Sequence, residues 1–229
     1  LVEILSLQNR KTHFIYTSTT AVYSGRRDTS WPIGEKTEPL PSNEYGRSKL
    51  RAEKHLIKKA KKGKFRLTIV RLSTVFGAGT RHDGLFSILK RYINDGSFIA
   101  RLNWPGLTGL IYVGDVVKLL MDISTKPPRF KNSRLIIACT HSLNLAQISE
   151  IMHKAPGLEY RKIVLPSFFW KMTTYIKYTM PILETLLPSQ AYNLFWRFNL
   201  INDGTLDCEP VSLGKTKLKT FDEVVDEII

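Results

Sequence analysis

The chain has 229 residues, 43% hydrophobic and 24% charged, with a formal net charge of +14. That suffices for one large domain or a domain with a lobe, and the balance is that of a globular protein rather than a disordered or fibrous one. Two cysteines, Cys139 and Cys208, give neither a disulfide framework nor a metal-ligand spacing, and suit packed thiols in a reducing cytoplasm.

Residues 1–7 are apolar at helical spacing and begin with Leu1, as if the chain opened inside a helix. A short β-prone run follows, Phe14-Ile15-Tyr16, ending in the hydroxyl cluster Thr17-Ser18-Thr19-Thr20. Small polar residues at a strand's end are site builders, because ligands of α/β sheets gather at the carboxyl ends of strands. Residues 26–41 read as loop, with Pro32, Gly34, Pro39 and Pro41. Ser42 or Asn43 then offers an N-cap with Glu44 in the first turn, and a helix runs to about Lys62 and stops at Gly63. Its end is rich in cations, Lys58, Lys59, Lys61, Lys62 and Lys64. They complement the helix dipole. No aromatic residue interleaves with them and no nucleic-acid-binding motif is present, so a solvated helix end is favoured and no nucleic-acid partner is expected.

The second β-run is Leu67-Thr68-Ile69-Val70, followed by the glycine turn Val75-Phe76-Gly77-Ala78-Gly79. Residues 84–94 read as a helix with Leu85, Ile88, Leu89 and Tyr92 on one face. Residues 110–113 form a short strand, and Asp115 is expected to N-cap a helix carrying Val116, Leu119, Leu120 and Ile123. A strand at 134–138 and a helix at 145–153, with Asn144 as its cap, complete the regular pattern. Strands alternating with helices predict a parallel α/β sheet. The apolar region 163–200 is broken by Lys171, Lys177, Glu184 and Arg197 and by Pro166, Pro181 and Pro188. It cannot supply the roughly 20 uninterrupted apolar residues of a membrane span.

Tyr45 and Lys49 are four apart on one helix and so share a face. Alone, such a pair is commonplace and reads as an exposed Tyr/Lys pair. As chemistry it is sensible: a phenol with a pKa of about 10 is a poor base at neutral pH, and a nearby ammonium favours the phenolate.

Four segments give the pair a context. Thr19 stands three residues before Val22-Tyr23; the helix reads Tyr45-Gly46-Arg47-Ser48-Lys49 with Glu53 four residues on; Arg71-Leu72-Ser73-Thr74-Val75-Phe76-Gly77 makes a strand-to-turn element; and Tyr112-Val113-Gly114-Asp115-Val116 follows. In order and spacing these resemble the extended short-chain dehydrogenases, the NAD-dependent epimerase/dehydratase family. The resemblance implies a partial Rossmann-type parallel sheet with a smaller, mostly helical substrate lobe. Residues 1–140 would be the remaining part of the NAD(P)-binding domain, with lobe insertions from about 75–110, and residues 141–229 mainly the lobe and a C-terminal helix. It implies Thr19, Tyr45 and Lys49 as catalytic residues. Thr17, Ser18, Tyr45, Lys49, Leu72, Ser73 and Thr74 would line NAD or NADP. Thr19, Thr20, Thr74, Arg101 and Tyr112 would meet a small-molecule substrate, a nucleotide sugar or similar alcohol. A homodimer through the helix of Tyr45 is implied as well. For Asp115 a capping role is the simpler reading.

The sequence also departs from the family. No Gly-x-x-Gly-x-x-Gly turn to hold a pyrophosphate is found. Since a βαβ unit takes about 30 residues, on the order of 100 residues are expected ahead of Leu1, and residues 1–229 alone are expected to expose a sheet edge and bind NAD(H) weakly or not at all. Thr20 and Ala21 stand where dehydratases carry an Asp-Glu pair, which disfavours water elimination. Thr74 replaces the usual Asn and Thr108 the usual Arg, with Arg101 a candidate substitute for the latter. Phe168, Phe169, Trp170, Tyr175, Tyr178, Phe195 and Trp196 form an aromatic-rich segment. It is read as lobe packing. The alternatives are a pocket for a sterol- or lipid-like substrate, or, with Lys171, Lys177 and Arg197, a membrane-surface contact. A non-catalytic Rossmann-like binding module is the third reading. The residues near 211–215 and 221–224 resemble the family's terminal Leu-Gly element and closing helix.

Overall fold

The computed structural model describes residues 12–26, 30–63, 65–80, 82, 84–129, 132–170, 206–211 and 217–228. The predicted opening helix at 1–7, Lys64, the segment carrying Lys171, Tyr175, Lys177, Tyr178, Phe195, Trp196 and Arg197, and residues 212–215 lie outside the described residues.

The first sheet has three strands, β1 (His13–Thr19), β2 (Arg66–Leu72) and β5 (Ser133–Ala138), in the order β1-β2-β5. All pairs are parallel, with Thr19 opposite Leu72 and Leu72 opposite Ala138. Central β2 is buried on both faces, as a strand covered by helices must be. Its side chains alternate. Leu67 and Ile69 pack with Phe14 and Tyr16 against Leu56 and Ala60 of helix α1 (Glu44–Lys61). Val70 and Leu72 pack with Ile15 and Ile136 against Val116, Leu119 and Ile123 of helix α3 (Val113–Thr125). This is the expected α/β architecture, with helices on both faces of a parallel sheet. Strands β3 (Thr74–Phe76), β4 (Leu107–Tyr112) and β6 (His141–Asn144) form a second small sheet in the order β3-β4-β6.

The chain forms two compact units. One comprises Leu1–Val75, Gly109–His141 and Leu206–Thr220; the other comprises Phe76–Thr108, Ser142–Thr205 and Phe221–Ile229. The first holds the parallel sheet. Within the second, helix α2 (Leu85–Asn94), a 3-10 turn at Phe98–Arg101 and helix α4 (Leu145–Lys154) carry their own core. There Phe76, Phe86 and Phe221 cluster with ring centroids 5.2 to 6.3 Å apart. Trp104 lies 5.0 Å from Trp170, whose indole donates to Asn103 Oδ1. These aromatic residues of the second unit, like Phe169 against Trp170, make ring packing contacts.

Local signals explain the helix ends. Asn43 caps α1, its Oδ1 accepting from Gly46 N at 2.7 Å, and Gly63 ends it at φ 71°. Asn144 and Gln147 form a reciprocal capping box on α4. Asp115 corrects the expectation: α3 begins at Val113 with Tyr112 as N-cap, and Asp115 lies in its first turn, fully buried. Its oxygens accept from Lys118 Nζ at 3.0 Å and from the backbone N–H of Lys219 at 2.7 Å. It therefore docks the distant segment 217–220. A second correction concerns the closing helix. Among the described residues, the C-terminal stretch forms only a 3-10 turn, Val225–Glu227. Among the described residues, no helix is long and apolar enough to cross a membrane.

Candidate active site

Thr19 and Lys49 meet where β1 ends. Strand β1 leads through Thr19 into a 3-10 turn, Thr20–Tyr23, and Thr19 Oγ1 caps that turn by accepting from Ala21 N at 3.1 Å. A hydroxyl has one donor and two acceptor positions, so its O–H remains able to donate. Helix α1 then packs its N-terminus directly on this turn. A Cβ at Gly46 would sit 2.6 Å from Ala21 O and 2.9 Å from Pro41 Cβ. The glycine of Tyr45-Gly46 is thus a contact requirement: only a residue without a side chain allows the helix that close.

On α1 the stripe Tyr45, Lys49, Glu53 runs from solvent to core. Tyr45 is 54% exposed and Glu53 is 1% exposed. Lys49 lies between them and reaches the strand: its Nζ donates to the carbonyl of Thr17 at 3.1 Å. The same ammonium lies 5.1 Å from the Tyr16 ring centroid and 6.0 Å from that of Tyr45. The expected side-chain pair is therefore together at the carboxyl end of β1. Burial, then the charge of Glu53 and the neighbouring Tyr45, push the Tyr16 phenol above its ordinary value. Tyr16 therefore remains neutral at physiological pH and serves as the surface on which the ammonium rests.

The remaining predicted residues are placed as follows. Thr17 is exposed and contributes its carbonyl, whereas Thr20 is buried as the first residue of the 3-10 turn. Leu72 packs into the core beside α3. Ser18 and Ser73 are buried, and neither Oγ has a hydrogen-bond partner among the described residues. Ser73 N donates to Ala138 O at 3.0 Å. Thr74 opens β3. Tyr112 stands at the start of α3 with Lys219 Nζ 5.0 Å above its ring. Arg101 belongs to the second unit, where it ends the 3-10 turn and its carbonyl accepts from Ile163 N at 2.8 Å. Of the cations expected at the end of α1, Lys58, Lys61 and Lys62 are exposed and Lys59 is half-buried.

Three residues of the site went unassigned at the sequence level. Arg71 donates from Nε to Glu53 Oε1 at 3.0 Å and from Nη2 to Glu53 Oε2 at 2.5 Å, while its Nη1 donates to the Tyr23 hydroxyl. All three are at least 95% buried, with relative exposures of 5% for Arg71, 1% for Glu53 and 1% for Tyr23. Burial works against the charge on Arg71, but Glu53 and Tyr23 outweigh it and hold the guanidinium above its ordinary value. Burial likewise pushes the Tyr23 phenol up, with Arg71 acting in the opposite sense. Glu53 and Arg71 were visible within the motifs, but their partnership was not.

Elsewhere in the same unit a cleft of about 240 Å³ opens beside α3 and β5, lined in part by Glu35, Asp122, Arg134 and Glu209. None of the motif residues Thr19, Tyr45 or Lys49 lines it. Among the described residues no group of three or more His, Cys, Asp or Glu is placed to hold a metal ion.

Known proteins place these features in a family. Among solved structures, the UDP-glucuronic acid 4-epimerase of Bacillus cereus in complex with NAD is similar at TM-score 0.61 and 21% identity, over 72% of this chain and 53% of that one. The UDP-glucose 4-epimerase of Thermotoga maritima, solved with UDP-glucose, gives 0.59 and 20%, over 72% and 54%. RMD of Pseudomonas aeruginosa complexed with NADPH gives 0.55 and 19%, over 66% and 52%. At such identities the likeness is one of fold, and the chain spans about half the length of these structures. An uncharacterized protein of Sinorhizobium fredii, y4nG, is 35% identical over 83 residues, 36% of this chain and 20% of that protein. Residues 1–138, more than half of the chain, match the NAD dependent epimerase/dehydratase family, and the chain belongs to that family.

Proposed function

We propose that the intact protein is an NAD(P)-dependent epimerase or dehydrogenase acting on a nucleotide sugar or a similar alcohol. The observation that carries this reading is the placement of Lys49. Its Nζ is fixed by the Thr17 carbonyl at 3.1 Å while facing Tyr45 at 6.0 Å from the ring centroid. An ammonium has three donors. One is used on Thr17, and two remain for a ribose diol. The buried hydroxyls of Ser18 and Ser73 also fit a polar group at the strand ends. The family and the solved relatives with NAD, NADPH or UDP-glucuronic acid support the same chemistry.

In this reading Thr17, Ser18, Tyr45, Lys49, Leu72, Ser73 and Thr74 would hold the nicotinamide half of the dinucleotide. When bound, that group supplies the carbon that accepts or returns a hydride. Tyr45 takes the proton of the substrate hydroxyl at its phenolic oxygen, and returns it in the reverse direction. Lys49 supplies positive charge beside Tyr45, its Nζ 6.0 Å from the ring centroid. Thr19 donates its O–H to the substrate oxygen, and Thr20, Thr74 and Tyr112 would be the substrate contacts that the family resemblance implies. The apolar-substrate alternative rests mainly on aromatic residues outside the described ones, and no described contact favours it.

The test is Tyr45→Phe in the intact protein, assayed with UDP-glucuronic acid, UDP-glucose and UDP-N-acetylglucosamine in the presence of NAD or NADP. Loss of at least 100-fold in kcat is expected, in the range of general acid–base contributions. Turnover that survives the substitution unchanged would remove the catalytic assignment.

A further inference from the structure

We propose that Arg71 is the positioning residue of this site, tying the carriers of Thr19, Tyr45 and Lys49 to one guanidinium. The inference rests on the catalytic reading above and deepens it. Arg71 belongs to β2. Two of its donors grip Glu53, at 3.0 and 2.5 Å. Glu53 lies four residues beyond Lys49 and eight beyond Tyr45, on the same stripe of α1. The third donor of Arg71 goes to the hydroxyl of Tyr23, whose ring also lies under the guanidinium at 5.0 Å. Tyr23 ends the 3-10 turn that Thr19 caps. Two segments distant in sequence therefore converge on one planar cation carried by a third, β2.

The chemistry of the node fits this role. A guanidinium offers five donors in a fixed plane, so it sets angles as well as distances. Lysine carries the same charge but cannot hold a carboxylate bidentately while bonding a phenol. Burial removes competing water: Arg71 is 5% exposed and Glu53 1%. The contact lies toward the inner end of the stripe, and Tyr45 lies at its outer, exposed end. A small tilt of α1 about the node would move Tyr45 and would strain the 3.1 Å bond from Lys49 to Thr17.

Misplacement of a reacting group by about 1 Å can cost about 100-fold in rate. Arg71→Lys and Tyr23→Phe are therefore compared with the parent in the intact protein, with UDP-glucuronic acid, UDP-glucose and UDP-N-acetylglucosamine. The primary isotope effect is measured with the substrate deuterated at the carbon bearing the reacting hydroxyl. The expected result for Arg71→Lys is a fall in kcat of about 10- to 100-fold, KM within twofold, and a larger isotope effect on kcat because the chemical step becomes limiting. Partial unfolding alone would lower kcat but leave the isotope effect as it was. Tyr23→Phe removes one hydroxyl and shows the same pattern in weaker form; if Arg71→Lys does not fold, Tyr23→Phe decides. Crystal structures of the variants give a readout independent of turnover: α1 displaced and the Lys49–Thr17 bond lost. An unchanged kcat and isotope effect, or Tyr45 and Lys49 in their parental positions, overturns the proposal. If Tyr45→Phe abolishes turnover while both node variants remain fully active, the catalytic reading stands and only the positioning role fails.

Discussion

Removing the Glu53 carboxylate is the most demanding test of the energetics. In Glu53→Ala the guanidinium of Arg71 keeps its charge with a side-chain exposure of 6% and loses both hydrogen bonds to the carboxylate. Water cannot replace them without opening the contact between α1 and β2. Breaking a buried pair from one side costs about 3–5 kcal/mol, because the remaining charge is uncompensated. For a chain of this size, each 1 kcal/mol shifts the midpoint by about 2–4 °C, so a fall of roughly 6–20 °C is expected. Thermal unfolding of the intact protein, followed by circular dichroism, measures it, and urea titration gives the free energy independently. The double variant Glu53→Leu, Arg71→Met removes both charges and should recover most of the loss, since an apolar pair of similar volume is often neutral or better. The exposed pair of Glu44 with Arg51 supplies the contrast, and Glu44→Ala should leave the midpoint unchanged. A single-variant cost below about 1 kcal/mol, or a double variant as unstable as the sum of the singles, would refute the reasoning.

Other outcomes follow from individual contacts. Gly46→Ala places a Cβ 2.6 Å from a backbone oxygen; destabilisation of about 1–3 kcal/mol is expected in thermal melts, as for overpacking elsewhere. Asn43→Ala removes the cap on α1 and should cost about 1–2 kcal/mol in urea unfolding, at the upper end because Asn43 is buried. His13 is held below its ordinary value, first by burial and then by Arg66. As pH falls below about 6.5 the unfolded chain binds the proton first, so stability is lost with falling pH until the folded form also protonates. His13→Gln should flatten the midpoint between pH 7.5 and 5.5, and an unaltered slope would count against this.

The folding of Cys139 and Cys208 shows where sequence reading stops. Both were expected as packed residues and both are buried. Their sulfurs each lie 2.9 Å from where a Cβ on Gly109 would be, so a glycine of β4 makes the room they share. The hydrogen bond to Cys139, then burial, push the Cys208 thiol well above its ordinary value. Nothing local in the sequence links residues 109, 139 and 208.

What the sequence determined by itself is local or periodic. The face shared by Tyr45 and Lys49 follows from helical spacing, the start of α1 at Asn43 and its stop at Gly63 from capping chemistry, and the alternation of helices and strands from hydrophobic period. Motif order did the same for the family. Tertiary structure alone decided which hydroxyls are buried: Ser18 and Thr19 are neighbours, but the strand pleat sends one inward and leaves the other at the turn. It also decided that Asp115 accepts from Lys219, 104 residues away, instead of capping its own helix. Above all it decided that Arg71 meets Glu53 and Tyr23, at separations of 18 and 48 residues. Such pairings depend on strand register and on the approach of α1 to the sheet, which packing sets and no short window of sequence records.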